Sequence, residues 1–351
     1  MPWHTRLTTV RRAEGQTFLW RRKRHHPEID PSFGDPRLKE IRAAATEGPT
    51  AWPAIRPHLA AAAQAPAQAP TPAPTPAPEH APEDLTFLTE ALQTAAGLER
   101  WIGEVIAAAP GDPLPLLASG ARHIGWAWHA RGGPDAPHVS EEQRNLFRAR
   151  LATAEEHLSE AARLAPSWAT PRYFLQISGR GLELGPETAR HRFEETLRRA
   201  PGHAAAHREH LRQLAPKWGG SEEEMLAFAR EAMLAAPGGS PLGELVALAH
   251  LEKWLALGAD PLSAYLGGPA VLTALHDAAA RSVYHPAFVR HRDWTLSFNT
   301  FAMAFSLAGD YAAARPLFRA LGTRATETPW QYLDERSPLV PFFEWRTRVT
   351  H

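Results

Sequence analysis

The chain has no cysteine, and that absence excludes disulfides, thiolate metal ligands and cysteine nucleophiles at once. It agrees with a reducing compartment, so a cytoplasmic location is expected. Lysine is nearly absent as well. Only Lys23, Lys39, Lys217 and Lys253 stand among 38 basic residues, a bias of composition rather than of function. Formal net charge is zero, so the chain as a whole is no polyanion binder and nucleic acid is not an expected partner. No uninterrupted apolar run approaches membrane-spanning length, and no apolar core follows the first basic residues as a secretory leader would require. β-Branched residues are sparse and nothing alternates at period two, which argues against strands.

What is present divides the sequence into four. Residues 1–27 form a basic tail in which "RRKRHH" places Arg21, Arg22, Lys23 and Arg24 side by side, a candidate anion-binding cluster. Residues 28–62 read as two short helices, with Asp35-Pro36 as a cap and first-turn signal. Residues 63–83 alternate proline and alanine, which suits an extended spacer that could carry the preceding helices as a tethered second contact. From 84 to 351 everything reads as helix and turn. Ser140 with Gln143 and Ser221 with Glu224 have capping-box spacing. Thr170-Pro171, Ser240-Pro241 and Asp260-Pro261 each put a cap residue before a proline.

Helix ends recur at Pro110, Pro166, Pro201 and Pro237, the last two intervals being 35 and 36 residues. A period near 34 with two helices per unit is the signature of a helical array in which each pair covers its neighbour's apolar face. Within "SLAGDYAAARPLF", Gly309-Asp310 separates a first helix carrying Phe298, Phe301, Ala302 and Phe305 from a second carrying Ala314, Phe318 and Leu321. That pattern resembles the tetratricopeptide repeat. Ala189 and Phe193 hold the corresponding second-helix positions in the Pro201 unit, and Ala154, Leu158 and Ala161 in the Pro166 unit. Met225 and Ala229 depart from it, and Pro316 stands inside the second helix. The whole chain is also similar to a family of actinobacterial helical-repeat proteins of undefined function. The resemblance implies an all-α, tetratricopeptide-like right-handed solenoid, closed at its end by Trp330, Phe342, Phe343 and Trp345.

Candidate chemistry is thin. His203, His207 and His210 share one helical face at metal-ligand spacing, but in the repeat frame His207 and His210 fall on packing positions, and packing is the expectation. "APKWGGSEEE" lacks P-loop spacing, and its three glutamates oppose an anion; it reads as a turn with Trp218 wedged between units. In "GWAWHARGG", Trp126, Trp128 and His129 could line an open surface. No nucleophile elbow or Ser/His/Asp order stands out, so neither catalysis nor a cofactor is expected. If the solenoid curves as the resemblance implies, its concave groove would present Tyr173, Arg208, Arg212, Glu244 and Asn299 to a protein or peptide. Two alternatives stay open: an enzyme or small-ligand binder with a His/Trp-lined pocket between units, and anion or nucleic-acid binding through the basic tail.

Overall fold

Local hydrogen bonding explains where the helices begin. Asp35 accepts the Arg37 N–H at 2.8 Å and starts α1 (Pro36–Ala45). In the computed structural model, residues 29–64, 83–132, 139–259, 264–290 and 292–350 are described. They are all-helical, with no strand among them.

After α1 come α2 (Trp52–Ala63), α3 (Glu83–Gln93), α4 (Leu98–Ala108) and α5 (Pro113–Arg131). The middle of the chain holds α6 (Glu141–Leu164), α7 (Thr170–Gly181), α8 (Pro186–Leu197), α9 (Ala204–Gln213) and α10 (Glu222–Ala235). Then follow α11 (Glu244–Ala256), α12 (Pro269–Arg281), α13 (Trp294–Leu307) and α14 (Tyr311–Leu321). The single turn α15 (Glu327–Trp330) and α16 (Leu339–Thr350) complete the order. No described helix is long and apolar enough to cross a membrane.

The caps follow the sequence in most places. Ser140 and Gln143 form both arms of a capping box, whereas Ser221 makes one arm and turns its hydroxyl to the Glu224 carboxylate. Thr170 is not a cap. It lies inside α7, and its hydroxyl bonds Thr86 at 2.9 Å. Asp260-Pro261 lies outside the described residues, as do Arg21, Arg22, Lys23 and Arg24. Gly309 takes a left-handed φ of 78°, and Asp310 then accepts the Ala313 N–H to start α14.

Most helices pack against the next in sequence, and α1, α3, α5, α7, α9, α11, α13 and α15 also touch one another in that order. The apolar positions of the "SLAGDYAAARPLF" unit, from Phe298 to Leu321, are buried, as are Ala154, Leu158, Ala161, Phe193, Met225 and Ala229. α14 runs on through Pro316. Trp330 and Phe342 are fully buried against Phe318, with Phe343 and Trp345 packed behind them.

Two expectations need correction. The N-terminal helices are not a separate tethered unit. Leu38, Ile41, Ile55 and Leu59 share one apolar cluster with Leu88 and Leu92, and Trp101 Nε1 donates to the Ala45 carbonyl. α2 also runs one residue into the stretch assigned to the spacer, ending at Ala63. In addition, contacts are not confined to sequence neighbours. The start of α3 reaches α9 through Thr86 and His203, and reaches the approach to α13 through Asp84 and Arg292.

Candidate functional site

Helices α3, α5, α7, α9 and α11, with the segment after α15, line one cavity of about 320 Å³. α3 contributes Glu90 and Gln93, α5 Trp128, α7 Tyr173, Ile177 and Arg180, and α9 Glu209 and Arg212. The turn after α9 adds Lys217 and Trp218, α11 adds Glu252, and Gln331 and Tyr332 follow α15. No serine, threonine or histidine is among these lining residues.

One wall is an ordered stack. Arg180 lies over both indoles, 5.3 Å from the Trp128 ring and 4.8 Å from the Trp218 ring. The two tryptophans meet edge to face at 6.1 Å. Trp218 reaches this position because the chain turns sharply behind it. Gly219 is left-handed at φ 93°, and a Cβ on Gly220 would lie 2.1 Å from the Leu214 carbonyl oxygen. The glycine pair of "APKWGGSEEE" therefore serves this turn, ahead of the cap at Ser221. Lys217, Trp218 and Arg180 also border a surface depression with Gly185 and Gln213, which makes this end the mouth.

The polar groups are unevenly paired. Glu209 accepts Arg180 Nε at 2.6 Å and touches Arg212 Nη1 at 3.4 Å. Glu252 accepts the Tyr332 hydroxyl at 2.8 Å and lies 3.5 Å from Lys217 Nζ. Glu90 accepts a 2.5 Å bond from the Tyr173 hydroxyl and forms no ion pair among the described residues. Burial pushes the Glu90 carboxyl up to about 7 and the Tyr173 hydroxyl well above its ordinary range. Arg212 lies deep in the fold, yet 36% of its side chain remains exposed, because its guanidinium faces the cavity.

Of the five residues expected on the groove, Tyr173 and Arg212 meet here. Arg208, Glu244 and Asn299 do not; they are buried. Arg208 is clamped by Asp293 at 2.6 Å and Glu244 at 3.1 Å. Glu244 also accepts the Ser297 hydroxyl at 2.6 Å. Asn299 donates to the Thr295 and Arg324 carbonyls and accepts from Trp330 Nε1 at 2.7 Å, so its amide is fully engaged. Most of their partners come from residue 293 onward, through Asp293, Ser297, Arg324 and Trp330.

The histidines have separate surroundings. His203 caps α9 by accepting the Ala206 N–H at Nδ1, which places its proton on Nε2, 2.9 Å from the Thr86 hydroxyl. His210 stacks on Phe193 at 4.2 Å, and His207 meets the same ring edge-on at 5.1 Å. Phe228 closes this aromatic seam and packs against both apolar clusters of the molecule. Among the described residues no group of three or more His, Asp or Glu side chains is arranged to hold a metal ion.

Sequence reasoning singled out Trp128, Lys217 and Trp218 but passed over Glu90, Arg180, Glu209, Glu252 and Tyr332. Glu209 carried a faint signal, as a lone acid between the packing histidines of "HAAAHREH". Comparison with family models, with curated proteins and with solved structures finds no match.

Proposed function

We propose that this chain is a tetratricopeptide-like right-handed solenoid acting in the cytoplasm as a non-enzymatic, peptide-binding scaffold. The in-order contacts among alternate helices support the architecture, since stacked hairpins bury one another's apolar flanks. The cavity on the inner faces is the binding site. Its walls combine aromatic rings with a few convergent charged groups, the composition expected of a recognition pocket.

The observation that carries this reading is Arg212. Its fork spends one long contact on Glu209, and its other N–H groups have no partner among the described residues while facing the cavity. A planar fork of this kind suits a carboxylate or a peptide carbonyl. Arg212→Gln removes that grip and leaves the helix packing in place. Affinity for peptides selected from an array should fall by roughly tenfold to a hundredfold, as expected for one charge-assisted bond. Trp218→Ala should weaken the same peptides by opening the wall. Unchanged affinity in both variants would reject the cavity as the site.

A further inference from the structure

Three carboxylates and three cations line the cavity, but they do not cancel pairwise. Arg180 and Glu209 satisfy each other, and Glu252 is shared by Tyr332 and Lys217. Glu90 and the greater part of the Arg212 fork are left over. Both border the same cavity, yet no contact within 4.0 Å joins them. The charge of Arg212 nevertheless acts on Glu90 through space.

A purely cationic ligand would sit beside Arg180 and Arg212, and a purely anionic one beside Glu90 and Glu209; like-charge contact opposes each of them. A ligand carrying both signs avoids the conflict. We propose that the cavity recognises a small zwitterion, its ammonium on Glu90 and its carboxylate on Arg212, with an apolar side chain against Trp128, Ile177 and Trp218. Free α-amino acids and very short peptides with both ends unblocked share this chemistry. The inference rests on the reading of the cavity as a binding site and narrows its occupant from any peptide segment to one bearing two free charges. The Tyr173 hydroxyl fixes the Glu90 carboxylate, so the receptor for the ammonium is held before binding.

The test uses the full chain, with calorimetry as the binding readout. Probes are free amino acids and unblocked dipeptides, each with N-acetylated and C-amidated counterparts, together with longer blocked peptides. Unblocked probes should bind, and blocking either end should weaken them by at least about tenfold. Glu90→Gln retains an acceptor for Tyr173, so the fold should survive, as a thermal melt will check. In that variant free and N-acetylated probes should become equivalent, and in Arg212→Gln free and amidated probes should do so. If blocked peptides bind as well as free ones, or only amidation matters, the zwitterion inference fails and the peptide-binding reading stands. If no probe of either kind binds, both fail together.

Discussion

Glu90 and Glu83 give the molecule a pH sensitivity that belongs to single side chains. Burial lifts each carboxyl from an ordinary 4.5 to about 7. For Glu90 the Tyr173 hydrogen bond and the charges of Arg208 and Arg212 pull back, while Asp293 pushes further up. A carboxyl raised on folding binds more protons in the native state. Its favourable contribution is complete below 4.5 and is lost as pH rises through 7. Glu90→Gln should therefore be more stable than the parent chain at pH 8 and nearly unchanged at pH 4, as read from urea midpoints. A pH-independent difference would refute the assignment. His203 works in the opposite direction. Burial takes its imidazole down to about 3, so stability tied to the neutral ring is present above 6.5 and drains away as pH falls toward 3.

At the level of elements, the approach of α3 to α5 depends on a missing side chain. A Cβ on Gly125 would lie 2.1 Å from the Gln93 carbonyl oxygen, which also accepts Arg122 Nη1 at 2.7 Å. Backbone cannot step aside as a flexible side chain can. Gly125→Ala should therefore cost about 1–3 kcal/mol in denaturant unfolding despite its gain in helix propensity. The helix pair must part, and because Gln93 and Trp128 line the cavity, Trp fluorescence should shift in the folded variant as well. A neutral or stabilising effect would mean that α3 and α5 pack less closely than described.

Across the whole molecule, buried charges tie together segments that are distant in sequence. Asp84 at the head of α3 pairs with Arg37 of α1 and with Arg292 before α13. Arg208 of α9 bridges Glu244 of α11 and Asp293. The Asp84–Arg292 pair joins α3 to the approach to α13, a link that stacking between neighbours alone does not require. Arg208→Met would leave Glu244 buried without its ion-pair partner and Asp293 with only the more distant charge of Arg292, and a loss of about 3–5 kcal/mol is expected. Restoring neutrality with Glu244→Gln and Asp293→Asn in the same chain should recover part of it. Urea unfolding of the single and triple variants checks this; equal stability of all forms would remove the tie from the account.

Several helix starts and much of the buried faces were legible in the sequence, because they depend on groups within about one helical turn. Asp35, Ser140 and Asp310 cap through backbone N–H groups two or three residues away, and the apolar spacing from Phe298 to Leu321 follows helical periodicity. The candidate site was legible only in part. Trp128, Tyr173, Arg212 and Trp218 drew attention as residue types at plausible positions. Whether a polar side chain such as Arg208, Glu244 or Asn299 meets water or a partner depends on what arrives from elsewhere: Asp293 lies 85 residues from Arg208, and Arg292 lies 208 from Asp84. Helix caps and periodicity are local and so are written in the order of residues. Enclosure and charge pairing are long-range, and they exist only once the helices are brought round to face one another.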